Sequence, residues 1–156
     1  MKKQWQKLLL CLFIPLLVGI VAGLLTQSSM ETFSQLNQPK LSPPGFLFPV
    51  VWTVLYLLMG LASYSVLTAD APKSQIAAAF RIYGLQLAFN FLWSFLFFTF
   101  EQYCLAFFWL VFLWLLILLT IKRFQTISNQ AAVLFIPYLA WVTFAGYLNF
   151  SICLLN

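Results

Sequence analysis

The sequence contains no histidine and only three acidic residues, Glu31, Asp70 and Glu101. The missing imidazole removes the commonest metal ligand and the usual general base near neutral pH. All three carboxylates fall between apolar runs or at their ends, so no carboxylate pair is placed for acid–base chemistry. Proton-driven carriers and cation channels usually need ionisable groups along the path, and no carboxylate lies well inside an apolar run here. Charge of either sign is scarce, at 7% of residues, where soluble domains carry about 25%. With 63% hydrophobic residues and a mean hydropathy of +0.97, the composition is that of a membrane protein. The net charge of +5 is not a nucleic-acid footprint, since no basic stripe faces one way and no soluble domain is present to carry one. Cysteine is sparse too: Cys11, Cys104 and Cys153 lie far apart, in or beside apolar runs, without CxxC or metal-ligand spacing. They read as small buried hydrophobes.

What is present in quantity is apolar sequence, divided into five runs near Leu8–Leu25, Phe46–Ala69, Ala77–Phe100, Tyr103–Ile121 and Ala131–Leu155. Each approaches the roughly 20 residues that cross a hydrocarbon core as a helix. Backbone groups in lipid must be satisfied internally, so the runs predict a single domain, 1–156, of five transmembrane helices. Thr26–Leu36 reads as a polar connection, Asp70, Pro72 and Lys73 break the chain, and Glu101–Gln102 forms a tight turn. Ser128 or Asn129 can cap the last helix. The first run follows Lys2, Lys3 and Lys7 but lacks a convincing signal cleavage site, so it reads as a retained helix. Its Gly19 and Gly23 form a GxxxG that permits close helix approach. Five spans put Lys2, Lys3, Lys7, Lys73, Arg81, Lys122 and Arg123 on one side and only Lys40 on the other. The positive-inside rule then predicts a cytoplasmic N-terminus, with the first loop and Asn156 outside.

Between the first two runs, Pro39, Pro43, Pro44 and Pro49 predict a stiff, extended connector acting as a lid over the next helix. That helix carries Trp52, Tyr56, Met59 and Ser63 on one stripe. The third run carries Gln86, Asn90, Trp93 and Phe97, and the fifth Tyr138, Trp141, Ala145 and Asn149, both at helical spacing. Buried amides in lipid serve either as interhelical hydrogen-bond glue, worth about 0.6–2 kcal/mol each, or as ligand contacts. Three converging stripes of aromatics and amides predict a shared cavity for a flat, apolar ligand. The fourth run, with no amide or carboxylate in LAFFWLVFLWLLILL, reads as a lipid-facing wall.

Three segments, PKLSPPGFLFPVVWTVLYLLMG (Pro39–Gly60), QLAFNFLWSFLFF (Gln86–Phe98) and PYLAWVTFAGYLN (Pro137–Asn149), together resemble the translocator protein or tryptophan-rich sensory protein (TspO/MBR) family, which includes the peripheral-type benzodiazepine receptor. The resemblance covers essentially the whole chain. It implies a bacterial member with a five-helix bundle, commonly a homodimer, whose first loop folds over a pocket that binds porphyrins and aromatic amides. Pocket positions in the family fall here on Pro44, Trp52, Asn90, Trp93, Trp141 and Ala145. Trp52 and Trp141 match tryptophans implicated in light-dependent porphyrin breakdown, so they would be the catalytic residues if that activity is present. Three positions depart from the family pattern. Leu41 and Phe33 stand where loop tryptophans are common, and no basic residue follows Tyr147, so cholesterol binding is not implied.

The sequence therefore predicts a multi-pass protein of the cell membrane that binds a porphyrin or other tetrapyrrole, with a sensory or transport role. The predicted ligand-binding residues are Pro44, Trp52, Tyr56, Gln86, Asn90, Trp93, Phe97, Tyr138, Trp141, Ala145 and Asn149. No metal or separate cofactor is expected, and porphyrin is ligand or substrate. Light- and oxygen-dependent porphyrin degradation, and facilitated movement of apolar molecules, are the competing readings.

Overall fold

The computed structural model describes residues 2–156. The first span, α1 (Lys2–Thr26), begins before Leu8 because the Lys and Gln residues ahead of it extend a helix about as well as Leu does. The polar connection is itself partly helical, with a 3₁₀ turn at Gln27–Ser29 and a short α2 (Met30–Gln35). The proline segment folds into two turns rather than an extended run: Ser42 N donates to Pro39 O at 2.9 Å, and Leu47 N to Pro44 O at 3.0 Å. In α3 (Leu47–Leu67), Pro49 lies in the first turn, where its missing N–H leaves no bond unmade.

The third span, α4 (Lys73–Ser94), widens at its end into a π-helical turn, Phe95–Thr99. Phe100 N reaches back five residues to Phe95 O at 2.8 Å. Glu101 takes a left-handed conformation (φ 54°), which lets the chain reverse in the space of Glu101–Gln102. The last two spans are α5 (Tyr103–Gln125) and α6 (Asn129–Leu155). Ser128 Oγ caps α6, accepting from Ala131 N at 3.3 Å.

All five long helices are long and apolar enough to cross a membrane, and no strand forms among the described residues. They pack as a ring: α1 on α3, α3 on α6, α6 on α5, α5 on α4, and α4 back on α1. The backbones of consecutive spans α3 and α4 stay apart, and the two helices meet through side chains. The half of the ring nearest the α3–α4 connection is solid, filled by Met59, Ala62, Val66, Tyr83, Phe124 and Phe135. There Tyr83, Phe124 and Phe135 pack edge-on or tilted, with centroids 5.3–6.1 Å apart. The other half is open.

The cysteines depart from expectation. Cys11 is buried, but Cys104 and Cys153 form a disulfide, with Cα atoms 5.0 Å apart, at the end of the bundle that carries the first loop. Sequence spacing could not pair them, because the contact is made only when the start of α5 meets the end of α6, 49 residues later.

Candidate ligand-binding site

In the open half of the ring, α1, α3, α4 and α6 enclose a cavity of about 620 Å³. That volume is within the roughly 300–1,000 Å³ typical of small-molecule sites. Two stacked aromatic pairs form its walls. On α3, Trp52 stacks on Tyr56 with centroids 5.6 Å apart; on α4, Trp93 stacks on Phe97 at 5.3 Å. The first loop and the start of α3 add Phe33, Ser42 and Phe48. Phe33 packs on Phe97 and Phe98 at 5.8 and 5.6 Å, which closes an aromatic collar around the cavity.

The floor is polar but internally satisfied. Tyr56 donates to Asn90 Oδ1 at 2.7 Å, Asn90 Nδ2 to the Tyr138 hydroxyl at 2.8 Å, and Tyr138 to Gln86 Oε1 at 2.9 Å. Gln86 Nε2 then faces Met59 Sδ at 4.0 Å. A second pair lies higher: Trp93 Nε1 donates to Asn149 Oδ1 at 3.1 Å, and Asn149 Nδ2 to Tyr103 O at 2.7 Å. The amides thus serve as interhelical glue, and the cavity they border is lined mainly by carbon. With the solid aromatic half below this layer, the cavity does not continue as a pore. It opens sideways instead, since its lining includes Ile20 and Leu24, 57% and 66% exposed, with exposed Gly23, Pro49 and Thr53.

The glycines of α1 explain how the cavity reaches that surface. A Cβ on Gly19 would lie 2.6 Å from Tyr56 Cδ2, so only glycine lets this ring lie against α1. Gly23 is exposed and borders the cavity, and a Cβ there would meet nothing within 4 Å. The GxxxG pattern therefore serves an intrachain contact and a thin wall.

Comparison with known proteins decides the family. The TspO/MBR family model matches residues 11–155. The chain belongs to the TspO/MBR family. It is 37% identical to the Tryptophan-rich protein TspO of Chlorobaculum tepidum, over 100% of this chain and 99% of that one. It is 41% identical to the Tryptophan-rich sensory protein of Cereibacter sphaeroides, covering 81% of this chain and 77% of that one. The Translocator protein of Bos taurus is 32% identical, over 88% and 82% of the two chains.

In this TspO/MBR chain, Trp52, Tyr56, Asn90, Trp93, Phe97, Ala145 and Asn149 come together on the cavity. Gln86 and Tyr138 lie one layer beneath it, fully buried in the hydrogen-bonded floor. Pro44 is exposed in its turn and does not line the cavity. Trp141 lines a separate apolar groove between α3 and α6, of about 530 Å³, with Phe48 edge-on between it and the main cavity at 6.0 Å. Its indole N–H is buried without a partner. As the fourth run's composition indicated, no residue of α5 borders the main cavity. Trp109 is held inward instead, stacked on Phe89 at 4.3 Å and donating to Phe89 O at 2.9 Å.

Sequence reasoning missed Phe33, Phe48, Phe98 and the whole α1 wall. For α1 a signal existed, since two glycines on one helix face mark a place where backbone comes close to something. For Phe98 there was none, because a π turn brings neighbouring Phe97 and Phe98 to the same cavity against ordinary helical spacing.

Proposed function

We propose that this TspO/MBR protein binds a planar apolar ligand of the tetrapyrrole class in the α1–α3–α4–α6 cavity, in a sensory or transport role. The observation that carries this reading is the facing of two stacked aromatic pairs, Trp52–Tyr56 and Trp93–Phe97, across a cavity with few free polar groups. Aromatic faces suit a flat ring, which they bury without leaving a polar group stranded. The first loop acts as the lid through Phe33 and Ser42, and exposed Lys40 on the same loop is available to the ligand's carboxylates.

The test is a titration with protoporphyrin in the dark, followed by tryptophan quenching in detergent. Saturable quenching is expected, with affinity lower by at least about fivefold, roughly 1 kcal/mol, in Trp52→Phe/Trp141→Phe. Non-saturating quenching that is the same in both proteins would mean partitioning into the micelle and would overturn the reading. The single variants locate the ligand: Trp52→Phe carries most of the loss if it lies in the main cavity, and Trp141→Phe if it lies in the outer groove.

Two observations favour lateral exchange with the bilayer over passage through a pore: the sideways opening beside Ile20 and Leu24, and the closed amide floor. Porphyrin degradation remains the enzymatic alternative, with Trp52 against the ligand and Trp141 behind Phe48. Aerobic illumination separates it from binding: bleaching of the Soret band no faster than for free porphyrin, and indifferent to both tryptophans, excludes it.

The excess of Lys and Arg at the N-terminal end supports a cytoplasmic N-terminus. The disulfide supports the same orientation, because it lies at the opposite end, where an oxidising compartment would keep it. An impermeant maleimide on intact cells is expected to label Lys40→Cys and not Lys73→Cys; the reverse pattern overturns the assignment.

A further inference from the structure

We propose that the Cys104–Cys153 disulfide is a redox-sensitive latch that, through Asn156 and Asn37, holds the first loop on the cavity and so sets how fast a bound ligand leaves. The ligand part of this rests on the function proposed above; the loop part does not.

The connection can be followed bond by bond. Cys153 lies in the last turn of α6, Asn156 caps that turn through its N–H to Ile152 O, and the disulfide ties the turn to the start of α5. Asn156 is clasped reciprocally to the loop. Asn37 N donates to Asn156 Oδ1 at 3.0 Å, and Asn156 Nδ2 donates back to Asn37 O at 3.1 Å. Asn37 Nδ2 adds a bond to Leu155 O at 3.4 Å. From there the loop is braced inward: Gln38 Nε2 donates to Phe33 O at 3.1 Å, and Ser42 Oγ to Gln38 Oε1 at 2.7 Å. Phe33 and Ser42, the residues so braced, both line the cavity.

The physical reason for coupling is the exposure of the clasp. Asn37 and Asn156 are both exposed, so water competes for each of their hydrogen bonds. A terminal helical turn also frays readily. Such a clasp persists only if the turn bearing it is held in place, and the covalent member of the belt is the disulfide. With the bond cut, the last turn of α6 frays, Asn156 leaves Asn37, and the loop loses its attachment to the bundle.

Cys104 is exposed and Cys153 half-buried, so a reductant can reach the bond from outside the bundle. A dithiol attacks one sulfur as thiolate, and the other cysteine leaves as thiolate and is protonated. The second thiol of the reductant then resolves the mixed disulfide. Two electrons and two protons pass to the protein, and the reductant departs as a cyclic disulfide. Asn149, which accepts from Trp93 and donates to the carbonyl beside Cys104, ties the cavity wall to the same corner.

The test uses the full chain in lipid nanodiscs, oxidised and after reduction with dithiothreitol, with thiol formation checked by maleimide labelling. Hydrogen exchange of residues 31–46 is read alongside the dark release rate of protoporphyrin. On reduction, loop exchange and porphyrin release are both expected to rise at least about threefold, while the α3 and α5 interiors stay protected. Cys104→Ser/Cys153→Ser should match the reduced protein. Asn156→Ala, with its disulfide intact, should reproduce the effect, and dithiothreitol should then add little. Unchanged loop exchange in a protein with free thiols overturns the latch, whether or not porphyrin binds. Faster loop exchange with an unchanged release rate overturns its control of the ligand. If porphyrin fails to bind saturably in either state, the tetrapyrrole reading falls, and the exchange result alone decides whether the disulfide holds the loop.

Discussion

Gly60→Val is expected to destabilise the bundle by about 3 kcal/mol, lowering the thermal midpoint in detergent by roughly 6–12 °C. The cause is the approach of α1 to α3. A Cβ at Gly60 would lie 2.8 Å from Leu12 Cα and 2.9 Å from Cys11 O. Both are backbone atoms, so no side-chain rotation can relieve the overlap, and the two helices must separate. Valine raises helix propensity over glycine by only a few tenths of a kcal/mol, which cannot offset that separation. Gly84→Val is the control, because a Cβ there meets nothing within 4 Å. A midpoint for Gly60→Val equal to that of Gly84→Val, in a thermal unfolding assay, would show that the α1–α3 contact is not as close as described.

Gly23→Leu should produce the opposite pattern: an intact fold and a lost ligand. Its Cβ would meet nothing within 4 Å and the cavity lies beside it, so stability should hold or rise by about 1 kcal/mol from helix propensity. Protoporphyrin affinity should fall at least about tenfold, equivalent to 1.4 kcal/mol, because leucine occupies space between the Trp52 wall and α1. Gly19→Leu cannot serve the same purpose. Its side chain would collide with Tyr56, whose ring is fixed by the hydrogen bond to Asn90, so binding and fold would fail together. Unchanged affinity in a folded Gly23→Leu protein would place the ligand elsewhere. The outer groove at Trp141 would then be the next site to examine.

These two glycine tests, Gly60 and Gly23, draw on the same helix pair in different ways. Near Gly60 the backbones touch; near Gly23 the helices leave a space that the ligand is proposed to use. The difference matters for function, because a cavity wall made of α1 faces lipid on its other side. A ligand dissolved in the bilayer meets that wall without first crossing the water phase.

By itself the sequence determined the number of spans, their approximate ends, the family, and the three stripes on α3, α4 and α6. All of these depend on composition or on local helical periodicity, which lipid enforces strictly because unsatisfied backbone is so costly there. Tertiary structure alone decided what each stripe faces. Asn90 and Gln86 share a stripe with Trp93, yet they spend their hydrogen bonds on Tyr56 and Tyr138 in the floor. Trp141 is one helical turn from Tyr138, yet it turns to the outer groove. The ring order, which separates α3 from α4 and gives α1 a cavity wall, is likewise invisible to periodicity. So is the union of Cys104 with Cys153. Each of these depends on which helices become neighbours, and that is settled by packing between segments far apart in the chain.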